Sequence, residues 1–322
     1  MAILLVGYDT ESAAVGEGLA RFLGPDVPQY RCALDPETTR RGVSLLARLH
    51  EELEAPCTFF ICGRTLLHAL DAFEPIATSP LFDIQQHTYS HVVFRDVRYR
   101  PTGSDAEAVL PETPLVALRE ELSWTSELIR KYLGRECIGL RTPFGYYRGL
   151  RDRPDLLRIV EETGHRYVTS WGRNEENGNP TPWVQPFAYA EEGFPDLLEI
   201  PFQFWLDGVW FDANGYTEGK AFGAALQGAI AEIAEQDLVF ATAFHEWCAV
   251  EADEEGTGWI RSLIEHARER GVDVMSYSDY WARTAGAADT PETASFDPVE
   301  GQRQQRPPRG AGARRAESDG RA

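Results

Sequence analysis

Short apolar segments alternate with amphipathic helical segments along most of this chain, and this alternation restricts the fold more than any other feature. The runs at residues 3–6, 57–62 and 238–244 have the length and the β-branched or aromatic content of buried strands. Between such runs leucines recur at three- and four-residue spacing, as in the helical segment that Pro114 opens and Gly134 ends. About seven strand and helix repeats predict one α/β domain with a parallel, barrel-like sheet.

The predicted domain covers residues 1–285 and contains one long interruption. Between residues 92 and 113 basic and polar residues follow one another without a period, which is typical of a long loop or an insertion. After residue 285 the chain is rich in Ala, Gly, Pro, Gln and Arg and has no periodicity. Residues 286–322 are therefore predicted to be a disordered tail.

Charge and cysteine content narrow the class of partner. The formal net charge of -20 disfavours nucleic-acid binding, because that function needs clustered basic residues. The first seven residues have no basic region, and their apolar run is too short for a signal peptide or a membrane span. Five cysteines, an odd number without a CxxC motif, are expected to be buried thiols. We therefore predict a cytoplasmic protein without nucleic-acid or membrane partners.

Two histidines four residues apart, His87 and His91, follow the apolar run at residues 81–84. Neutral imidazole is the commonest protein ligand for zinc, and catalytic zinc sites typically use three protein ligands. If the backbone coils here, both rings point to the same side. The pair therefore predicts a metal site, with a helix N-terminal turn and a hydrogen-bonded core histidine as the alternative.

Two carboxylates, Asp9 and Glu11, follow the first predicted strand. Parallel α/β folds carry their chemistry at the carboxyl ends of their strands, so both residues are candidates for a functional site. The alternative is that they cap a following helix, predicted over residues 12–22.

Several motifs in order resemble one family over residues 1–283, the polysaccharide deacetylases, or NodB-homology carbohydrate esterases. The resemblance is carried by TFFICG at residues 58–63, HTYSH at residues 87–91 and RTPFG at residues 141–145, and more loosely by Trp171 and His245. It implies a distorted (β/α)7 barrel that holds one divalent cation through an Asp-His-His triad. It also implies hydrolysis of an N-acetyl group from an amino sugar.

The same resemblance implies roles for individual residues. His87 and His91 correspond to metal ligands, and Asp9 corresponds to the general base. Arg141 corresponds to the residue that orients this base, and His245 to the general acid. The implied cation is zinc, with cobalt or manganese as alternatives.

The first motif departs from the family pattern, in which two aspartates are commonly adjacent. Here Thr10 follows Asp9, and the next carboxylate is Glu11. Glu11 is our preferred third ligand, because its longer side chain can restore the reach. The alternatives are that Asp9 itself binds the metal and no separate base exists, or that the metal is lost.

We predict that residues of the motifs and aromatic residues near strand ends contact the substrate. The residues assigned to substrate binding are Tyr8, Pro143, Phe144, Trp171, Trp205 and Trp247. Aromatic faces at strand ends can stack on a sugar ring, although the tryptophans could equally belong to the core.

The expected function is metal-dependent removal of N-acetyl groups from a soluble amino sugar or oligosaccharide. One alternative is an imidase- or allantoinase-like hydrolase of cyclic amides, because residues 199–201 and 205–207 resemble that branch of the fold. The second alternative is a carbohydrate-binding relative without catalysis. We also expect that such a barrel can form a homo-oligomer.

Overall fold

Parallel strands form the centre of the molecule in a computed structural model that describes residues 1–14, 35–99, 108–252 and 257–287. The strands are β1 (Ile3–Leu5), β2 (Gly7–Thr10), β3 (Cys57–Ile61), β4 (Phe82–Gln86), β5 (Val97–Tyr99), β6 (Ala108–Leu110), β7 (Gly139–Tyr146), β8 (Tyr167–Trp171), β9 (Phe187–Tyr189), β10 (Phe194–Glu199), β11 (Val239–Ala241), β12 (Phe244–His245) and β13 (Asp273–Met275). The helices are α1 (Pro36–Leu53), α2 (Gly63–His68), α3 (Leu70–Phe73), α4 (Leu115–Leu133), α5 (Pro154–Glu162), α6 (Asp207–Asn214), α7 (Gly219–Gln236), α8 (Glu246–Glu251), α9 (Gly258–Glu269) and α10 (Tyr277–Ala287), with a 3-10 turn at Ile76–Thr78.

The main sheet has the order β12-β2-β3-β4-β7-β8-β10-β9, and every pairing except β10 with β9 is parallel. A second parallel sheet has the order β11-β1-β13. Only Val6 separates β1 from β2, so the two sheets share one strand direction at this point. The predicted α/β class is confirmed.

The two ends of this strand series meet through one glutamine. After β10, the Gln203 backbone N–H donates to the Ala241 carbonyl at 3.0 Å, and the Gln203 side-chain oxygen accepts from the Ala241 N–H at 2.7 Å. Because Ala241 lies on β11, beside β1, these bonds connect the chain after β10 with the opposite end of the strand series. The result is the distorted, NodB-type barrel that the sequence predicts.

Strand alternation divides the first strand between two cores. Leu4 and Tyr8 are packed in the cluster under the surrounding helices, whereas Ile3 and Leu5 are packed with Tyr277 in a separate cluster. Successive side chains of a strand point to opposite faces. Odd-numbered residues of this strand therefore point toward the barrel interior, and Asp9 shares their side.

Helix ends follow the predicted signals. Asp35 caps α1 by accepting a hydrogen bond from the Glu37 N–H at 3.0 Å, and Pro36 occupies the first turn. Gly134 ends α4 with a φ of 66°, in the left-handed region that favours glycine. The helix predicted between Pro114 and Gly134 is confirmed.

Other segments differ from the prediction or lie outside the described residues. The interruption at residues 92–113 contains an antiparallel hairpin of β5 and β6. Helices α6, α8 and α10 were not predicted. Helices α6 and α8 have eight and six residues, which are too few for a detectable helical period. Residues 15–22 of the expected helix and residues 288–322 of the expected tail lie outside the described residues. The compact unit ends at Ala287, and the domain boundary and the tail stay predictions.

None of the helices in the described residues is both long and apolar enough to cross a bilayer.

Burial of His50 generates a pH prediction. The His50 ring is fully buried, with Nε2 2.8 Å from the Tyr8 hydroxyl and Nδ1 2.8 Å from the Ala55 carbonyl. Burial lowers the pKa of His50 to about 4, whereas an unfolded histidine titrates near 6.5. Between these values the unfolded chain binds the proton and the native state does not. The contribution of neutral, buried His50 to the free energy of unfolding is complete above pH 6.5 and is lost as the pH falls toward 4.

We expect urea unfolding at pH 7, 5.5 and 4.5 to show a smaller pH-dependent loss of stability in His50→Gln than in the wild-type protein. The matched control is His68→Gln, since His68 is exposed. Identical pH dependence in wild type and His50→Gln would contradict the assignment.

Candidate active site

A carboxylate and two imidazoles meet where β2 and β4 end. Glu11 follows β2, and His87 and His91 follow β4, which places all three at the carboxyl edge of the parallel sheet. Their ligand atoms lie within 4.8 Å of one another, and all three side chains are buried. Glu11, His87 and His91 therefore form a group that could hold a metal ion.

Glu11 faces a different partner with each carboxylate oxygen. Oε2 lies 2.6 Å from His91 Nε2 and 3.5 Å from His87 Nε2. Oε1 accepts from the Trp247 indole N–H at 3.2 Å. Burial opposes ionisation of Glu11, but His91, His245 and His87 together hold its pKa well below the usual range. Glu11 is thus a carboxylate aimed at both imidazoles.

The two rings fit a divalent cation by their hydrogen bonding. His87 Nδ1 lies 2.9 Å from the Arg141 carbonyl, which can only accept a hydrogen bond, so Nδ1 is a protonated ring nitrogen and Nε2 is the one free to bind a metal. His87 Nε2 is then a lone-pair donor, and among the described residues it is buried without a hydrogen-bond partner. Two imidazoles and one carboxylate are a common ligand set of catalytic zinc sites. The residues present therefore fit the cation that the sequence resemblance implies.

The loop that carries the histidines is not helical. Thr88 and His91 have φ values of 64° and 58°, in the left-handed region that non-glycine residues rarely occupy. Glu121 of α4 stabilises this path, because its Oε2 accepts from the Tyr89 and Ser90 N–H groups at 2.9 and 2.7 Å. Both rings do point to the same side, with centroids 5.0 Å apart, but tertiary contacts produce this and not a helical turn.

Asp9 is held beside the ligand group by an arginine. Its Oδ1 accepts from Arg141 Nη1 at 2.8 Å, and its Oδ2 lies 3.7 Å from His87 Nε2. Asp9 is therefore separate from the Glu11 group and already engaged by a cation. This geometry favours Glu11 over Asp9 as the carboxylate that would bind a metal.

Arg141 is fully buried inside the barrel. Its guanidinium stacks on the Phe60 ring at 4.1 Å and donates through Nη2 to the Thr242 carbonyl and the Tyr277 hydroxyl. Burial works against its charge, but Asp9 and Tyr277 hold its pKa above the usual range. A Cβ atom at Gly7 would lie 2.9 Å from Arg141 Nη2, so glycine at this position makes room for the guanidinium.

His245, at the end of β12, is oriented by a buried aspartate. Nδ1 lies 2.5 Å from Asp207 Oδ1, and the His245 backbone N–H donates to Asp207 Oδ2 at 2.7 Å. The other ring nitrogen, Nε2, lies 3.9 Å from Glu11 Oε1. Burial alone would lower the pKa of His245, but Asp207 and Glu11 raise it to about 10. The ring lines the cleft, with Nδ1 held by Asp207 and Nε2 on the side of Glu11.

Glu246 stabilises the loop that carries Glu11. Its Oε1 accepts from the N–H groups of Glu11 and Ser12 at 3.0 and 2.8 Å, and from the Thr39 hydroxyl at 3.3 Å. Burial and the nearby Glu11 charge raise the pKa of Glu246 to about 7. The carboxylate thus fixes the backbone direction at the point where the first motif departs from the family pattern.

These groups open into a cleft of about 340 Å³. Its walls come from the β5 hairpin, the end of β7, the loop after β8 and helix α6. The lining residues outside the polar centre are Asp96, Val97, Arg98, Thr142, Phe144, Gly145, Tyr146, Arg173, Asn177, Phe202, Leu206, Gly208, Val209 and Asp212.

Comparison with known protein families finds one match. The polysaccharide deacetylase family model matches residues 33–168. The predicted resemblance to polysaccharide deacetylases is confirmed.

Solved structures extend the fold similarity beyond this match. A protein from Mycobacterium smegmatis that is assigned as a polysaccharide deacetylase is 18% identical, with a TM-score of 0.62 over 92% of this chain and 95% of that chain. One from Pseudomonas aeruginosa PAO1 is 16% identical, with a TM-score of 0.63 over 87% and 90%. Puue allantoinase is 16% identical, with a TM-score of 0.67 over 90% and 92%. At these identities the neighbours show the fold alone. No curated protein matches the chain significantly.

Of the residues assigned to substrate contact in this deacetylase-like chain, Phe144 lines the cleft. The structure does not bring Tyr8 there, because strand alternation directs it outward, where it packs in the helix-side core against His50. Pro143 is buried within β7. These two assignments are corrected.

The three assigned tryptophans also lie away from the cleft wall. Trp171 is buried with its indole N–H on the Arg173 carbonyl, and Trp205 packs against Trp210 at 5.7 Å. Trp247 is buried behind Glu11 and contacts that carboxylate. The structure therefore does not place these three tryptophans in the lining of the cleft.

Sequence reasoning missed the two acidic residues that orient the polar centre, Asp207 and Glu246. The signal available for Glu246 was its place directly after His245 at a strand end. Asp207 lies within residues 205–207, which carried the resemblance to cyclic-amide hydrolases, but its carboxylate was given no role. Both are recognisable only through contacts with residues far away in the chain.

The Glu246 contacts predict a stability effect. In Glu246→Ala the buried N–H groups of Glu11 and Ser12 lose their acceptor, and an unsatisfied buried donor costs about 1–3 kcal/mol. We expect urea unfolding to show a loss of about 2 kcal/mol or more. Glu246→Gln keeps an amide oxygen, so it should lose less.

The matched control is Glu235→Ala, which removes an exposed glutamate of α7. A stability of Glu246→Ala equal to that of Glu235→Ala would show that the carboxylate does not support the loop.

Proposed function

We propose that this protein is a metal-dependent hydrolase that removes N-acetyl groups from an amino sugar. One observation carries the proposal: a metal-ligating group and two separately oriented proton-transfer residues surround one cleft. The ligating group is Glu11, His87 and His91. The proton-transfer residues are Asp9, oriented by Arg141, and His245, oriented by Asp207.

Glu11, His87 and His91 would hold the cation, for which zinc is our first choice and cobalt or manganese the alternatives. When bound, a divalent cation supplies a water of lowered pKa and polarises the acyl carbonyl. The neutral His87 tautomer and the ionised Glu11 are the forms that such binding requires.

Asp9 acts as the general base in this proposal. Arg141 occupies Oδ1 through a charge-assisted hydrogen bond, which keeps the carboxylate ionised and fixes its orientation. Oδ2 is then the oxygen that accepts the proton of the attacking water. The water oxygen forms a bond to the acetyl carbon, and the carbonyl becomes a tetrahedral centre.

His245 acts as the general acid. Its Nδ1 is held by Asp207, so Nε2 is the nitrogen that presents a proton to the cleft. As the tetrahedral centre collapses, the carbon–nitrogen bond breaks and Nε2 protonates the departing sugar amine. The products are acetate and the free amino sugar. The charge of Asp207 and its hydrogen bond to Nδ1 raise the pKa of His245, which favours the protonated donor before the reaction.

The substrate we propose is a soluble amino sugar or short oligosaccharide, which fits a predicted cytoplasmic location. A volume of about 340 Å³ is at the lower end of small-molecule sites, which span roughly 300–1,000 Å³. Phe144, Phe202 and Val97 provide apolar surface for a sugar ring or an acetyl methyl group.

Cyclic-amide hydrolysis is the second candidate, favoured by the fold similarity to Puue allantoinase at a TM-score of 0.67. The same base and acid could open a cyclic amide, since that reaction also breaks a carbon–nitrogen bond. The two oriented pairs count against a carbohydrate-binding relative without catalysis, because binding requires neither a general base nor a general acid.

Metal binding is tested on protein stripped of metal and reloaded with zinc, cobalt or manganese. We expect about one tightly bound cation per chain, lost in Glu11→Ala and His91→Ala because each removes a ligand. Asp9→Asn is the matched carboxylate control and should retain the cation. Metal content by mass spectrometry is read beside the circular dichroism of each variant, which checks folding. Full occupancy in Glu11→Ala would sink the ligand assignment.

Hydrolysis is tested by acetate release from N-acetylglucosamine and its short oligomers. Loss of a general acid or base typically costs 10²–10⁴-fold, so we expect kcat to fall roughly a hundredfold or more in His245→Ala and Asp9→Asn. His68→Ala, an exposed histidine, is the control. Unchanged acetate release in His245→Ala and His87→Ala would refute the roles. Ring opening of a hydantoin without acetate release would favour the second candidate.

A further inference from the structure

One arginine of the cleft wall, Arg173, is oriented by contacts that leave its charge facing the cleft. It follows β8, and it is partly buried. Its Nε donates to the Phe144 carbonyl at 3.2 Å, and its Nη1 donates to Asn179 Oδ1 at 2.8 Å. These bonds hold two sides of a planar guanidinium that has five N–H donors.

Asn179 is itself held in place, so the orientation of Arg173 is built into the loop. The Asn179 amide nitrogen donates to the Thr181 hydroxyl at 3.1 Å and to the carbonyls of Gly172 and Phe204 at 3.4 Å. With the amide nitrogen engaged, the amide oxygen is directed at Arg173. A side chain held through such a second layer of contacts is pre-organised for binding.

Arg173 has no acidic partner within ion-pair distance in the part of the chain that the structure describes. Its two hydrogen-bond acceptors, a carbonyl and an amide oxygen, are neutral. Burial lowers the pKa of Arg173 to about 10, so it remains a cation at neutral pH. A partly buried cation without a counter-ion is unfavourable unless a ligand supplies the negative charge.

The contrast with Arg141 supports a different role for Arg173. Arg141 lies below the cleft and is neutralised by Asp9. Arg173 lines the same cleft, yet pairs with none of its carboxylates. In a chain with a formal charge of -20, an uncompensated arginine at this place is not explained by general surface composition.

We propose that Arg173 binds an anionic substituent of the substrate, a carboxylate or a phosphate. The guanidinium fork matches either group through paired charge-assisted hydrogen bonds. The inference rests on the proposed deacetylation, and it narrows the substrate to an N-acetylated amino sugar that carries such a substituent.

Three sugars that differ in charge test this proposal on the full chain. N-acetylglucosamine is neutral, N-acetylmuramic acid adds a carboxylate, and N-acetylglucosamine 6-phosphate adds a phosphate. Dissociation constants are measured by calorimetry in the His245→Ala background, which removes turnover, and kcat/KM for acetate release is measured with His245 present. The variants are Arg173→Gln and Arg173→Lys.

The matched control is Arg135→Gln. Arg135 is also a partly buried arginine that donates to neutral acceptors, the carbonyls of Ala77 and Ser79 at 2.7 and 3.0 Å, but it does not line the cleft. A hydrogen bond to a charged group corresponds to about tenfold or more in affinity. We therefore expect one anionic sugar to bind at least about tenfold tighter than the neutral sugar.

This preference should disappear in Arg173→Gln, be partly kept in Arg173→Lys and be unchanged in Arg135→Gln. The sugar that shows it identifies the anion as carboxylate or phosphate. Equal affinity for all three sugars, no binding of any of them, or a preference that survives Arg173→Gln would each overturn the proposal.

The two proposals fail separately. Charge preference that depends on Arg173 without acetate release from any sugar would support the anion site and refute deacetylation. Acetate release at equal kcat/KM from neutral and anionic sugars would support deacetylation and refute the anion site.

Discussion

The buried charge of Arg141 is the interaction on which both halves of the candidate site depend. Its guanidinium donates hydrogen bonds to Asp9 and to the carbonyl of Thr242, which lies shortly before His245. Its own carbonyl fixes the ring nitrogen of His87 that is protonated. Asp9, His87 and the barrel interior are thus connected through one residue. Removing a buried ion-pair partner leaves an uncompensated charge, which is strongly unfavourable. Arg141 is therefore structural and functional at once.

The same hydrogen-bond pattern recurs at three glutamates. In each case one carboxyl group accepts two consecutive backbone N–H groups at or after the end of a strand. Glu246 does this for Glu11 and its neighbour, and Glu121 does it for the loop between the two histidines. Glu199 does it for Ser170 and Trp171, the last two residues of β8, directly before the loop that carries Arg173. Acceptance by a buried carboxyl group satisfies backbone N–H groups at and after strand ends, where the hydrogen bonds of the sheet run out. The loops of the cleft are therefore held by the barrel.

Much of the polar centre was predictable from residue type and order. His87, His91 and Asp9 follow apolar strands, and parallel strands bring their carboxyl ends to one edge. Glu11 was preferred as the third ligand, and its carboxylate does face both imidazoles. The substrate wall was mostly not predictable. Tyr8 packs in the helix-side core, because neighbouring residues of a strand face opposite sides of the sheet. Trp247 is buried behind Glu11. Aromatic content at a strand end does not specify which face of the sheet it occupies.

The sequence by itself determined the α/β class, the capped helices and the identity of the central polar residues, because these depend on local periodicity and on side-chain chemistry. Only the tertiary structure decided which carboxylate faces the imidazoles, that Asp207 orients His245, and that Arg173 faces the cleft without an acidic partner among the described residues. Asp207 and His245 are 38 positions apart, and Glu11 and Glu246 are 235 positions apart. Contacts across such separations depend on strand register and barrel closure, which no local pattern encodes.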